Sequence, residues 1–170
     1  YGLKNAQKQK LPLLEGQALI DLGNAYLVYG TYEKALGYYY KSKTLFVRLE
    51  KENPNDEDIN NNLAKSYGNI GIVLSEQSNY AKALQFHHKA KEIYLEIDKS
   101  ENLSIVYNNI GVEYQSLKKY KEAITFFSKC LSIQTKNNSS EKGITLTNIA
   151  KNYYSNKSKD QAKSYYAQAE

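Results

Sequence analysis

The chain has 170 residues, of which 41% are hydrophobic, and this is enough for one domain with a buried core. Its single cysteine excludes an internal disulfide framework and a thiolate metal cluster. The net charge of +5 permits acidic partners without requiring them, and no apolar run approaches the ~18 residues that a membrane span needs.

Apolar residues recur at every third or fourth position along the chain, which predicts helices and no strands. Pro12 suits the start of the first repeated helix, Gly30 and Thr31 end that helix, and Thr31 can cap the next one. Asp98 and Glu101 have the spacing of a capping box before the third pair. In chain order, eight helices are predicted at about 13–29, 32–51, 58–76, 80–97, 101–117, 120–135, 141–155 and 158–169.

One short pattern occurs once in each helix pair, and its internal spacing is the same in all four copies. A small residue follows an apolar residue in the first helix, and an alanine lies 12 positions later in the second helix. Glycine within a helix costs about 1 kcal/mol relative to alanine, so we expect close packing of the two helices to offset that cost. The small anchors are Gly23, Gly71, Gly111 and Ala150, and the alanines are Ala35, Ala83, Ala123 and Ala162.

The pattern, completed by an aromatic residue or histidine four positions after each alanine, resembles the tetratricopeptide repeat over about residues 15–170. Successive anchors lie 48, 40 and 39 residues apart, against roughly 34 in the commonest form of the family. This spacing is similar to that of the long-repeat members in kinesin light chains, Rap-type regulators and bacterial sensor regions. The fourth copy departs most, because Ala150 replaces glycine and Lys159 replaces the tyrosine that opens the second helix.

The resemblance implies an all-α, right-handed superhelical solenoid of four helix pairs that acts as a protein- or peptide-binding scaffold. A single domain covering residues 1–170 is expected, with repeats at about 13–53, 56–98, 100–136 and 140–170. Repeat arrays of this kind usually bind rather than catalyse, so no enzymatic activity, cofactor or metal is predicted. A role as the sensor or regulatory module of a signalling protein is consistent with this similarity.

A polar residue precedes the apolar anchor at the same place in every first helix. If the pairs stack, these side chains line the concave wall, where amides can hold the backbone of an extended peptide. Alternatively, they bond to neighbouring helices or face water. The residues of this ladder are Asp21, Asn69, Asn109 and Asn148. By position, the family resemblance adds Asn24, Leu27, Ile72, Asn108, Val112, Gln115, Lys151 and Tyr154 to the peptide-contacting face.

Other candidate sites are disfavoured by residue type and spacing. His87 and His88 are adjacent on a helix and point about 100° apart, so they cannot share a metal, and His87 occupies a predicted core position. Cys130 lies in a helical pattern and is predicted to be a small buried hydrophobe. The cations of a clamp for a C-terminal carboxylate are absent at the corresponding positions, which hold Ile20, Asn24, Asn69, Ile105 and Asn109.

Two rival functions stay open at this point. One is a structural scaffold that self-associates through its terminal repeats, and the other is binding of single-stranded nucleic acid, which the dispersed lysines disfavour. Because the chain opens on Tyr1 and contains no methionine, we expect it to be part of a longer protein with an effector domain outside this segment. A cytoplasmic or a periplasmic domain would fit the composition equally well.

Overall fold

In the computed structural model, which describes residues 2–169, every regular element is an α-helix. The eight predicted helices are confirmed, each to within one residue at either end. The short α1 has no counterpart in the predictions, because its seven residues carry too little apolar periodicity. The helices are α1 (Gly2–Lys8), α2 (Pro12–Val28), α3 (Tyr32–Glu52), α4 (Glu57–Glu76), α5 (Tyr80–Glu96), α6 (Ser100–Ser116), α7 (Tyr120–Lys136), α8 (Lys142–Ser155) and α9 (Lys159–Ala169).

The helices form two compact units, one within residues 2–97 and the other within residues 98–169. In the first unit α1 packs on α2, α2 pairs with α3, and α3 packs on α4, which pairs with α5. In the second unit α6 pairs with α7, and α7 packs on α8, which pairs with α9. Each pair is one of the predicted repeats, whereas the single domain over residues 1–170 stays a prediction. None of the helices within residues 2–169 combines the length and the apolar character that a membrane crossing requires.

Each anchor glycine lies against an aromatic or imidazole ring from the second helix of its own pair. A Cβ atom added to Gly23 would lie 2.4 Å from the ring of Tyr39, and one added to Gly111 would lie 2.7 Å from the ring of Phe127. Atoms of these rings are nearer to the added Cβ than any atom of the alanine that lies 12 residues after the anchor. That alanine is itself fully buried in the first three repeats. The anchors are therefore small because a ring of the facing helix occupies the place of their side chain.

Each turn inside a repeat contains one residue with a left-handed backbone. The φ values are +68° at Gly30, 59° at Ser78, 58° at Lys118 and 64° at Lys157. Two backbone bonds close each turn; for example, Lys118 N donates to Gln115 O at 2.9 Å, and the next amide donates to Tyr114 O at 2.8 Å. This is the Schellman arrangement, in which glycine is the least strained residue at the left-handed position.

Two predicted caps are wrong, because the residues are used to end the preceding helix. The hydroxyl of Thr31 donates to the carbonyl of Tyr26 at 2.9 Å and makes no cap bond to α3. Asp98 has a left-handed φ of 52° after α5, and α6 begins without a side-chain cap. A side-chain cap does form at α4, where Asp56 Oδ1 accepts from the backbone amide of Ile59 at 3.0 Å.

The left-handed backbone conformation of Lys118 predicts that glycine would be stabilising at this position. Replacing Lys118 by glycine should raise the free energy of unfolding by about 0.5–1 kcal/mol. A side chain in the left-handed conformation costs roughly 1–2 kcal/mol, which glycine avoids. Part of this gain is lost because glycine makes the unfolded chain more flexible. The urea midpoint followed by circular dichroism measures the change. Gly30→Lys is the reciprocal control and should lower the midpoint by a similar amount; a drop with Lys118→Gly would contradict the strain.

Candidate peptide-binding site

A polar pocket of about 470 Å³ lies between α2 and α4, the first helices of the two repeats in the first unit. Three of the predicted site residues, Asp21, Asn24 and Asn69, meet there. The pocket is lined by Gln17, Ile20, Asp21, Asn24, Asn62, Lys65 and Asn69. All of these side chains except that of Ile20 can form hydrogen bonds to a ligand.

Asn24 is held by two hydrogen bonds in this pocket. Its Oδ1 accepts two hydrogen bonds, one from the hydroxyl of Tyr39 at 2.7 Å and one from Nδ2 of Asn69 at 3.1 Å. Burial raises the pKa of Tyr39 to about 12, so its hydroxyl keeps its proton and remains a donor at neutral pH. With both lone pairs of Oδ1 engaged, the amide group of Asn24 is oriented with its NH₂ available as a donor.

Asn69 joins the two repeats of the first unit through its bond to Asn24. Part of the alternative interpretation is therefore correct, because this member of the ladder does bond to a neighbouring helix. Oδ1 of Asn69 still offers an acceptor beside the donor of Asn24. Of the other predicted residues in this unit, Leu27 packs against the hydrophobic core, and Ile72 is half-buried.

Three polar lining residues of this pocket were not predicted from the sequence. Asn62 and Lys65 lie seven and four residues before Asn69, and Gln17 lies four residues before Asp21. Residues at these spacings share one face of a helix, so extending the ladder by one turn would have found Gln17 and Lys65, and by two turns Asn62.

The second unit places its predicted residues differently. Asn108 lines a separate pocket of about 380 Å³, and Gln115 Oε1 accepts a bond from Nδ2 of Asn152 at 2.8 Å. Asn152 is only 1% exposed and also donates to the backbone carbonyl of Asn148, so it joins α6 to α8. Nothing in the sequence pattern indicated this role for Asn152. The remaining predicted residues are half-buried or exposed, namely Asn109, Val112, Asn148, Lys151 and Tyr154.

The residues excluded from chemistry lie where the sequence predicted. His87 is fully buried and its ring lies against Gly71, in the place that Tyr39 and Phe127 occupy in other repeats. Cys130 is buried and free, with Sγ 3.4 Å from the hydroxyl of Ser104. Within residues 2–169, no group of three or more histidine, cysteine, aspartate or glutamate residues is arranged to hold a metal ion.

A family model described as tetratricopeptide repeat matches residues 62–136. No curated protein sequence matches the chain significantly. Among solved structures, the apo form of RapI is similar, with a TM-score of 0.86 and 18% identity over 96% of this chain and 44% of that one. The Rap protein complexed with competence and sporulation factor has a TM-score of 0.76 and 16% identity, over 98% of this chain and 50% of that one.

A third similar structure is a signal transduction ATPase with a tetratricopeptide repeat sensor, from Pyrococcus horikoshii. It has a TM-score of 0.82 and 23% identity, over 98% of this chain and 25% of that one. The chain thus spans half or less of the length of each of these three proteins. At these identities the likeness shows the fold, and the predicted all-α solenoid class of paired helices is confirmed.

Proposed function

We propose that this chain is a peptide- or protein-binding module of the tetratricopeptide repeat type, because the family model matches residues 62–136 and the fold is similar to that of RapI over 96% of the chain. The first helices of its repeats hold the partner, and the module itself has no enzymatic role. The observation that carries the proposal is the amide pair of Asn24 and Asn69 in the polar pocket of the first unit.

This pair offers the two functions that a peptide backbone needs. The NH₂ of Asn24 can donate to a backbone carbonyl, and Oδ1 of Asn69 can accept from a backbone amide. The orientation is fixed in advance by the bonds from Tyr39 and between the two asparagines, so less rotational freedom is lost when a ligand binds. Recognition of this kind depends on the extended backbone, while the surrounding side chains select the sequence.

The module would serve as the sensor or regulatory part of a signalling protein. Two of the similar structures support this assignment: one contains a tetratricopeptide repeat sensor, and the other is a Rap protein complexed with competence and sporulation factor. In this chain, binding of a ligand to the first helices would be the signal that is passed to a partner or to another domain.

Replacing both Asn24 and Asn69 by alanine should weaken peptide binding about tenfold or more, because both backbone-directed groups are lost. The probe is a peptide selected from a random library on the immobilised chain, and its affinity is measured by calorimetry. Helicity should change little, because both side chains are at least partly exposed. The melting temperature should fall modestly, because the buried hydroxyl of Tyr39 loses its acceptor on Asn24.

Gln85→Ala is the matched control for this double variant. It removes an exposed amide from α5, a second helix, and should leave the affinity unchanged. Equal affinities of the double variant and the native chain would remove the amide pair from the site. Failure of the library to yield any binding peptide would contradict the proposed function as a whole.

A further inference from the structure

The pocket in the second unit differs in character from the polar pocket of the first unit. It has a volume of about 380 Å³ and lies where α6, the last turns of α7 and the first turn of α8 meet. This volume is at the lower end of the range for ligand pockets and can hold one large side chain. Its lining residues are Ser104, Ile105, Asn108, Cys130, Gln134, Glu141, Ile144 and Thr145.

A buried amide in this pocket lacks one hydrogen-bond partner. Gln134 is 6% exposed, and its Oε1 accepts no bond from any residue in the described part of the chain. The neighbouring Cys130 interacts with Ser104 and Thr145, and its Sγ lies 3.4 Å and 3.8 Å from their hydroxyls. Because a buried acceptor without a donor is unfavourable, a ligand that brings a donor into the pocket gains affinity if the Gln134 amide turns its Oε1 towards that donor.

The rim of the pocket is apolar and exposed. Ile105 is 57% exposed and Ile144 is 66% exposed, and each lies six residues before the anchor of its repeat. The equivalent positions in the first unit hold Gln17 and Lys65. Exposed isoleucines at this position are thus specific to the second unit, and they provide apolar surface for the stem of a ligand side chain.

Glu141 is the only charged residue among those that line the pocket. Lys142 follows it in the chain but does not line the pocket. The site therefore combines a carboxylate, an acceptor without a donor and two exposed aliphatic side chains. A cation on a long aliphatic stem is complementary to all three features, because such side chains bury their methylene groups and keep the charged end among polar atoms.

We propose that this pocket binds a basic side chain, lysine or arginine, of the partner peptide. The aliphatic stem lies along Ile105 and Ile144, and the charged end pairs with the carboxylate of Glu141. Once the Gln134 amide turns its Oε1 towards the pocket, the charged end also donates to that oxygen. The inference rests on the proposed peptide-binding function and adds the chemistry of one anchoring residue. It does not involve the amide pair of the first unit.

The test begins with the selection of a random peptide library on the whole native chain and, in parallel, on Glu141→Gln and Glu122→Gln. Glu122 is an exposed acid on α7 that does not line the pocket, so its variant is the matched charge control. A shared lysine or arginine is expected in the peptides from the native chain and from Glu122→Gln, and its loss is expected with Glu141→Gln.

The two proposals fail in different ways in this experiment. If peptides are enriched without a shared basic residue, or if that residue persists with Glu141→Gln, the basic pocket is overturned and peptide binding stands. If no peptide is enriched on the native chain, both proposals are overturned.

Titration of one enriched peptide supplies a second measurement. Glu141→Gln and Ile144→Gln should each weaken the binding of this peptide about tenfold. Replacing the basic residue of the peptide by norleucine should weaken its binding to the native chain by a similar factor. The Ile144→Gln change introduces the residue type that the first unit has at the equivalent position, Gln17. Glu141 and Ile144 are both exposed, so both variants should keep the helical content that circular dichroism measures. Unchanged affinities with all three changes would overturn the assignment.

Discussion

Replacing Gly71 by alanine is expected to destabilise the chain by about 1–3 kcal/mol, although alanine is the better helix former. The added Cβ would lie 2.5 Å from Cε1 of His87, closer than side-chain carbons approach other atoms. His87 is fully buried, so its ring cannot move aside without displacing the packing around it. The urea midpoint followed by circular dichroism measures the loss.

Gly68 provides a control in the same helix. A Cβ added there would meet nothing within 4 Å, so Gly68→Ala should gain the helix propensity, up to about 1 kcal/mol, without a clash. Two chemically identical substitutions one turn apart on α4 are therefore expected to have opposite signs. Stabilisation by both would show that His87 does not restrict the anchor position.

The repeats were predictable because their packing imposes the same residue types at the same spacing four times. The small anchors and the buried alanines are requirements of two helices in contact, and each copy confirms the assignment of the others. The helix caps were less predictable. Thr31 and Asp98 have the residue types of an N-cap, but their backbones already belong to the turn that ends the preceding helix, which the pattern does not show.

The candidate site was predictable only in part, for a similar reason. Position in the repeat identified Asn24 and Asn69, which do meet in one pocket. The roles of Gln134 and Asn152 depend on which atoms of other helices surround them, and this is decided by tertiary packing. Equivalent positions also diverge, since residues six before the anchor are polar in the first unit and isoleucine in the second.

The contact between Gly111 and Phe127 should appear as strong thermodynamic coupling. Phe127→Ala removes a fully buried ring and is expected to cost about 3–5 kcal/mol. Gly111→Ala alone is expected to cost about 1–3 kcal/mol, since its Cβ would lie 2.7 Å from that ring. Once the ring is gone, the same alanine has room, so in the Phe127→Ala background it should be neutral or stabilising.

A double-mutant cycle measures this coupling from the urea unfolding of the native chain, the two single variants and the double variant. If Phe127→Ala leaves too little folded protein, Phe127→Leu serves in the same cycle with a smaller cavity. Additive effects would contradict the packing role of the ring. In the fourth repeat, the anchor itself carries a methyl group. Ala150 is fully buried, and the matching Tyr166 is 40% exposed, whereas Phe127 is fully buried opposite its glycine.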